Sequence, residues 1–247
     1  MRKIFNVTKN IVNNIIFAVQ LLFFLITTTV GFSIVSISAL FSLRLSHLFL
    51  RLLGKPILSI FFSLQIEGEE YLEKSGKMIL AGNHTGVLDS VILEIVCKRP
   101  IIFLFGSWMP KFGLIGWLIR RNKSIPITKG RGIEALNQAV IQLNKGNIIV
   151  IFPEGGTSPD GKISRFREGV SYIHKKSMAP IIPFVIQGGY EAWTWRKKLP
   201  KFKKVIIQFG PIFCDLEDNE RIITKKLQDK IQFMKDALEK REQAKLG

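Results

Sequence analysis

Residues 78–90 read Met-Ile-Leu-Ala-Gly-Asn-His-Thr-Gly-Val-Leu-Asp-Ser. The apolar first part, residues 78–81, predicts a short buried strand, and Gly82-Asn83 predicts the turn that leaves it. His84 and Asp89 follow, on that loop and at the start of the next predicted helix. An imidazole can take up a proton near neutral pH, and a carboxylate can hold its tautomer and stabilise the imidazolium. The pair is a candidate base and orienting acid, although the same spacing is common in ordinary loops.

A second strand-to-loop stretch, residues 148–158, reads Ile-Ile-Val-Ile-Phe-Pro-Glu-Gly-Gly-Thr-Ser. If its strand neighbours the first one, the loop lies close to His84. Gly155 and Gly156 permit a close backbone approach and can present N–H groups to an anion. The alternative interpretation is a plain turn after a strand.

Short apolar runs alternate with helix-like stretches through the rest of the chain. This alternation predicts an α/β layer architecture. The predicted strands are residues 77–81, 101–105, 124–127, 147–152, 181–186 and 205–209, and the predicted helices are residues 88–97, 111–121, 132–144, 168–176 and 218–240. The last of these helices is long and amphipathic.

The N-terminal part is apolar and basic. Residues 11–43 carry no charge, and as a helix they would extend roughly 50 Å, against a hydrocarbon core of ~30 Å. One tilted span or a re-entrant pair of shorter helices would fit this run. Residues 44–64 are basic, acid-free and rich in Leu and Phe, as in a helix at a lipid surface. We expect a membrane-anchoring segment over residues 1–64 and a second domain over residues 65–247.

The net charge indicates an anionic partner. The chain has 36 Lys and Arg against 19 Asp and Glu, a formal charge of +17 and a pI near 10.0. A mean hydropathy of +0.22 with 19 Phe favours an anionic membrane surface over nucleic acid. Cys97 and Cys214 lie in unrelated surroundings, which predicts a reducing compartment and no metal site. His47 and His174 have no carboxylate nearby in the sequence and are predicted to be non-catalytic.

Two segments combine cations with aromatic residues. Residues 95–133 contain no acid but hold Trp108, Lys111 and Phe112 among other aromatic and basic residues. This composition suits a lipid headgroup boundary, and a solvated basic face is the alternative. Residues 193–204 repeat the pattern on a smaller scale, and stacking on single-stranded nucleic acid is the alternative there. Lys129 follows a predicted strand and would reach the same sheet edge as His84.

The motifs in order resemble a known family. Residues 83–89 match in full the His-x4-Asp motif of the bacterial 1-acylglycerol-3-phosphate O-acyltransferases, members of the phospholipid/glycerol acyltransferase superfamily. Residues 152–158 match that family's Phe-Pro-Glu-Gly motif with its trailing Ser, and residues 166–169 resemble its Phe-x-x-Gly element. The resemblance covers roughly residues 65–210. It implies a mixed sheet flanked by helices, with an N-terminal membrane-embedded helical segment.

The same resemblance implies a function. The expected reaction moves a fatty acyl group from acyl-CoA or acyl-carrier protein to lysophosphatidic acid, giving phosphatidic acid, at the cytoplasmic face of the cell membrane. His84 would be the base and Asp89 its partner, with no cofactor and no metal. The expected substrate-binding residues are Asn83, Lys129, Arg131, Glu154, Gly155, Gly156 and Thr157.

Two positions depart from the family pattern. The family usually places an arginine near the Glu-Gly pair, where this chain has Thr157, and another after the strand at residues 124–127, where this chain has Lys129. A lysine supplies a charge without the two-pronged geometry of a guanidinium. Another acceptor therefore remains an alternative: glycerol-3-phosphate, a different lysophospholipid or another lyso-lipid. A non-catalytic membrane lipid-binding protein is a further alternative.

Overall fold

The computed structural model describes residues 2–72, 76–107, 109 and 113–245, without the side chains of residues 2–8 and 115. Eight α-helices, one short 3-10 helix (Glu69–Tyr71) and seven strands lie within these residues. The helices are α1 Arg2–Phe41, α2 Leu43–Phe62, α3 Leu88–Val96, α4 Gly113–Arg121, α5 Gly132–Asn144, α6 Gly169–Ser177, α7 Gly189–Ala192 and α8 Glu220–Ala244. The strands are β1 Gln65–Glu67, β2 Met78–Gly82, β3 Ile101–Gly106, β4 Ile125–Ile127, β5 Ile148–Ile151, β6 Ile181–Gln187 and β7 Ile206–Phe209.

The strands form one mixed sheet in the order β1-β7-β6-β2-β5-β3-β4. Every neighbouring pair is parallel except β6 and β7, which are antiparallel. The strand β2 lies between β5 and β6, with Ala81 in register with Ile151 on one side and with Pro183 on the other. The carboxyl ends of the central parallel strands therefore open onto the same edge of the sheet.

Alternate residues of the central strands enter two different cores. Leu80 and Val150 belong to a core that also contains residues of α2 and α3. Ile79 and Ile149 point to the opposite face, where α5, α6 and α8 pack. Strands covered on both faces read as continuous apolar runs, which is why the sequence located them. The expected mixed sheet flanked by helices is confirmed.

The predicted elements correspond closely to those observed. Each predicted strand and helix is present, with boundaries shifted by a few residues. The sequence missed β1 and the four-residue α7. Strand β1 reads Gln-Ile-Glu and has one apolar residue, so its pairing with β7 gives little local signal. Trp108, Lys111 and Phe112 of the cationic block lie outside the described residues.

The uncharged run near the N-terminus forms one continuous helix rather than a re-entrant pair. The threonines in its middle do not end α1, because Thr27 and Thr28 return their hydroxyls to helix carbonyls, for example Thr28 Oγ1 to Phe24 O at 2.7 Å. The second helix of a hairpin comes from α2. Ser46 Oγ donates to Val35 O at 3.1 Å. Lys9–Phe41 and Leu43–Phe62 are each long and apolar enough to cross a membrane.

The hairpin of α1 and α2 is packed against the α/β part of the chain. Phe24 of α1 is 4% exposed, and its ring lies 5.6 Å from Phe202 and 6.2 Å from Trp193. At the other end of α1, Arg121 Nη2 donates to Leu40 O at 3.1 Å. The opposite face of the hairpin carries exposed apolar side chains, among them Ile15, Val19, Leu22, Ile26, Val30, Leu52 and Ile60. One face of the hairpin thus packs against the α/β part, whereas the other leaves apolar side chains exposed.

The expectation that His47 lacks a carboxylate partner is wrong. Its Nδ1 lies 3.2 Å from Glu94 Oε2, and its Nε2 lies 3.0 Å from Cys97 O. Both ring nitrogens are therefore occupied at the junction of α2 and α3. The partner was missed because it is 47 residues away in the sequence. His174 is fully buried, and its ring nitrogens face the carbonyl oxygens of Ala179 and Asp215.

Candidate active site

The candidate site lies where β2 and β5 end side by side. These two strands are parallel and in register from Met78 and Ile148 onward. Because parallel neighbours end at the same edge of a sheet, the loop after β2 and the loop after β5 meet there. A hydrogen bond from Ser158 N to His84 O, 2.8 Å long, joins the two loops directly. The two stretches that the sequence singled out therefore form one site.

His84 and Asp89 form the expected pair. The distance from His84 Nδ1 to Asp89 Oδ2 is 2.7 Å. Asp89 is fully buried, whereas the His84 side chain is 18% exposed. Within the described part of the chain, His84 Nε2 makes no hydrogen bond. The imidazole is thus anchored on one nitrogen, and the other nitrogen can exchange a proton with a bound molecule.

Asp89 is held by the loop that it faces. Its Oδ2 also accepts hydrogen bonds from Thr85 N at 2.5 Å and from Gly86 N at 2.9 Å, and its Oδ1 accepts from Thr85 Oγ1 at 2.7 Å. Asp89 lies in the first turn of α3, where the helix dipole favours a negative charge. The carboxylate is therefore fixed in place before any substrate binds. No pattern in the sequence pointed to this contribution of Thr85.

The imidazole of His84 stacks on the ring of Phe152. The ring centroids are 4.1 Å apart and the planes are 15° from parallel. Phe152 is the first residue after β5, so the same strand pairing that joins the loops also sets this stack. The stack and the bond to Asp89 together restrict the ring to one orientation.

Glu154 connects the loop of residues 83–87, the histidine loop, to the segment around Ser164. Its Oε1 accepts from His84 N at 2.8 Å, and its Oε2 accepts from Ser164 N at 2.7 Å. Burial raises the pKa of the Glu154 carboxyl, and these backbone N–H groups oppose the rise. Both oxygens are engaged by the protein itself. The observed role is to position the loops, and the expected substrate contact of Glu154 stays a prediction.

Asn83 holds the exit of β2 against β6. Its Nδ2 donates to Ile186 O at 2.9 Å, and its Oδ1 accepts from Ile186 N at 2.8 Å. The side-chain amide thereby continues the strand pairing past the last residue of β2. Asn83 is 2% exposed, and its expected contact with substrate also stays a prediction.

The other expected binding residues fall into two groups. Gly155 and Gly156 are exposed and Thr157 is half-buried, all on the loop that carries Glu154. Lys129 and Arg131 are exposed beyond β4, at the edge of the sheet, with β3 and β5 between β4 and β2. The structure therefore brings the loop of residues 152–158, the glycine loop, to His84 and leaves Lys129 and Arg131 at a distance.

One arginine that was not predicted as a site residue, Arg167, packs against the glycine loop. Arg167 N donates to Pro153 O at 2.9 Å, and the Arg167 side chain lies against Gly155. Its position within the Phe-x-x-Gly element could have drawn attention to it, but that element by itself says nothing about proximity to His84. Among the described residues, no group of three or more His, Cys, Asp or Glu side chains could hold a metal ion. The absence of a metal and of a cofactor from the reaction stays a prediction.

Comparison with known proteins agrees with this geometry. Residues 63–187 match the sequence model of the Acyltransferase family. A 1-acyl-sn-glycerol-3-phosphate acyltransferase of Limnanthes douglasii is 27% identical over 164 residues, covering 61% of this chain and 55% of the relative. The corresponding Cocos nucifera protein is 26% identical over 181 residues, covering 69% and 54%. The chain thus spans about half the length of these relatives.

A solved structure shares the fold. The crystal structure of the 1-acyl-sn-glycerophosphate (LPA) acyltransferase PlsC from Thermotoga maritima superposes with a TM-score of 0.74 at 21% identity, covering 96% of this chain and 99% of that one. At this identity the match shows the fold alone. The family match extends over half of the chain and includes both loops of the site. The chain therefore belongs to the acyltransferase family.

Proposed function

We propose that the protein transfers a fatty acyl group from a thioester to the free hydroxyl of lysophosphatidic acid, giving phosphatidic acid. The observation that carries this proposal is the 2.7 Å contact between His84 Nδ1 and buried Asp89, with Nε2 unbonded among the described residues. The names of the relatives support the choice of acceptor. The proposed donor is acyl-CoA or acyl-carrier protein, and an assay with each thioester separates the two.

The reaction follows from the orientation of His84. Nε2 takes the proton of the acceptor hydroxyl while that oxygen attacks the thioester carbonyl carbon. The tetrahedral intermediate collapses, the carbon–sulfur bond breaks, and the imidazolium returns the proton to the departing thiolate. Asp89 accepts the Nδ1–H bond throughout and stabilises the imidazolium. General-base assistance of this kind contributes typically about 10²–10⁴-fold to the rate.

A transfer assay with matched variants tests the proposal. Purified protein in detergent micelles is given labelled acyl-CoA or acyl-carrier protein, with lysophosphatidic acid as the acceptor. We expect His84→Ala to lose at least about 10²-fold in kcat, with an unchanged circular dichroism spectrum. His174→Gln, required to keep the circular dichroism spectrum of the parent, is the control, since both ring nitrogens of His174 face backbone carbonyl oxygens, those of Ala179 and Asp215. Equal rates for His84→Ala and the parent would exclude His84 as the base.

A different acceptor is the second candidate, and one observation favours it. Thr157, at the position where the family usually has an arginine, is neutral, and Lys129 lies three strands from β2, so the cations expected at these two positions are not beside His84. Glycerol-3-phosphate, lysophosphatidylcholine and a monoacylglycerol, tested in the same assay, separate these possibilities. A protein that binds these lipids but turns over none of them with either donor would instead be a non-catalytic lipid-binding protein.

We propose that the enzyme works on an anionic membrane from the cytoplasmic face. The apolar outer face of the α1–α2 hairpin and the charge of +17 support membrane association. Cys214 is exposed and Cys97 is buried, which provides one accessible thiol for a test. A membrane-impermeant maleimide should label Cys214 in inside-out vesicles and not in intact cells. The reverse pattern would place the domain on the other face.

A further inference from the structure

The chain folds back onto the start of the glycine loop at Ser164, ten residues after Glu154. Glu154 Oε2 accepts from Ser164 N at 2.7 Å, and Pro153 O accepts from Arg167 N at 2.9 Å. The segment from Ser164 to Arg167 therefore lies beside the start of the loop. Glu154 also bonds His84 N, so the returning segment is one side chain away from the candidate base.

The Arg167 side chain occupies the space over Gly155. A Cβ atom built on Gly155 would lie 2.7 Å from both Nε and Cζ of Arg167. Gly155 has φ of +77°, a conformation that favours glycine for a second reason. The missing side chain lets the guanidinium lie directly on the backbone of the loop. At Gly156 a Cβ would meet nothing within 4 Å, so the close approach is specific to one of the two glycines.

The guanidinium is available for a ligand. Arg167 is exposed, and among the described residues it forms no ion pair and no side-chain hydrogen bond. The nearest carboxylate of the loop, Glu154, already accepts two backbone N–H groups. A guanidinium with free N–H groups matches the paired oxygens of a phosphate.

The cations expected from the sequence lie farther away. Neighbouring strands are about 4.8 Å apart, so β4 lies about 14 Å from β2 across β5 and β3. Lys129 follows β4, and Arg131 is 72% exposed and lies 4.0 Å from Glu134. In a lysophosphatidic acid, the phosphate and the free hydroxyl are on neighbouring carbon atoms. A cation that binds the phosphate while His84 takes the hydroxyl proton must therefore be close to the ends of β2 and β5.

We propose that Arg167, seated on Gly155, binds the phosphomonoester of the acceptor and selects acceptors that carry it. The proposal rests on the proposed function, since it assigns a residue to the acceptor of that reaction. Arg167 thereby supplies the positive charge that the family usually has at the position of Thr157. It is a specificity-determining residue, and the chemistry at His84 does not depend on it.

Kinetics with two acceptors form the first test. Arg167→Gln should raise the KM for lysophosphatidic acid about 10- to 100-fold, the range expected for losing a charge-assisted contact. Its kcat, and its rate with a phosphate-free monoacylglycerol, should stay near those of the parent. Arg167→Lys should be intermediate, because it keeps the charge without the fork. Arg221→Gln, an exposed arginine on α8, controls for the loss of one positive charge.

A double-mutant cycle tests whether the contact between Arg167 and Gly155 matters for acceptor binding. Gly155→Ala should raise the same KM, because the new Cβ displaces the guanidinium, and should add little once Arg167 is Gln. Gly146→Ala is the matched control, since Gly146 also has a positive φ, of +81°, but a Cβ there meets nothing within 4 Å. Additive effects of Gly155→Ala and Arg167→Gln would show that the contact between them is irrelevant to acceptor binding.

Direct binding separates this proposal from the proposed function. Titration of lysophosphatidic acid into the protein without any thioester, followed by tryptophan fluorescence, measures affinity in the absence of turnover. Weaker binding by Arg167→Gln supports the proposal even if no acyl transfer is found, a result that would overturn only the proposed function. Equal binding and equal KM for parent and variant would overturn the role of Arg167 and leave the transfer activity standing. A parent that does not bind this lipid overturns both.

Discussion

Glu94 of α3 has a largely buried carboxyl group held between His47 of α2 and Asn122. Its Oε2 lies 3.2 Å from His47 Nδ1, and its Oε1 accepts from Asn122 Nδ2 at 3.0 Å. The cluster links α2 and α3 to the residue that follows α4. Burial raises the pKa of the Glu94 carboxyl, and the hydrogen bonds from His47 and Asn122 oppose the rise.

Glu94 predicts a pH dependence of stability. A raised carboxyl pKa means that the folded state holds the proton more tightly than the unfolded state. That contribution is complete below the ordinary value of 4.5 and is lost as the pH rises through the raised pKa. Glu94→Gln can keep every hydrogen bond of the cluster without a charge. Its free energy of unfolding, relative to the parent, should therefore rise as the pH increases from 4.5 through the raised pKa of Glu94.

Urea unfolding in detergent at several pH values measures this difference. Other titrating groups are shared by the two proteins and largely cancel in the comparison. A difference that falls as the pH rises would show that pairing of an ionised Glu94 with a charged His47 outweighs the burial.

Single positions differ in how visible they are in the sequence. His84 and Asp89 are five residues apart, so a local motif could predict their contact. His47 and Glu94 are 47 residues apart, and Arg167 meets Gly155 only because the chain turns back on itself. Contacts of that kind have no local pattern to reveal them.

At the scale of elements, the loops of the site are held by close backbone approaches. Val87 N donates to Trp193 O at 3.0 Å, and a Cβ built on Gly86 would overlap that same carbonyl oxygen. The loop after α7 therefore packs directly on the histidine loop. A glycine is needed at residue 86 because the backbone at Trp193 leaves no room for a side chain. The φ angle of Gly86 is not positive, so it does not by itself require glycine.

Gly86→Ala should consequently separate these two loops. We expect a loss of about 1–3 kcal/mol in the free energy of unfolding, as in other overpacked sites, together with a lower kcat because the His84 loop moves. Gly132→Ala is the control, since a Cβ there meets nothing within 4 Å and the residue begins α5. Thermal unfolding and the transfer assay measure both effects. A Gly86→Ala protein as stable and active as the control would show that the approach is not required.

At the scale of the whole molecule, the α1–α2 hairpin shares a core with the sheet. Phe24, Phe61 and Phe62 belong to the same buried cluster as Leu80 and Val150. The other face of the hairpin exposes apolar side chains. One pair of helices thus serves both the packing of the α/β part and the proposed contact with lipid.

Two phenylalanines of α1 separate these roles. Phe24→Ala should lower the free energy of unfolding by about 3–5 kcal/mol, because its ring is buried among Phe61, Phe62 and Phe202. Phe41→Ala should leave stability in detergent nearly unchanged, because Phe41 is 79% exposed, and should weaken binding to phosphatidylglycerol vesicles. Chemical unfolding and vesicle flotation are the measurements. A stable Phe24→Ala protein would contradict the shared core.

The sequence by itself determined the elements and predicted the residues of the site. Apolar runs covered on both faces located the strands, and the motifs in order predicted His84 as a base and Asp89 as its partner. The tertiary structure decided which loops meet, because strand order is set by packing between distant segments and leaves no local periodicity. It placed Lys129 three strands from β2 and brought Arg167 onto Gly155. The sequence therefore predicted the residues of the proposed transfer, whereas the arrangement of the loops and of Arg167 depended on the fold.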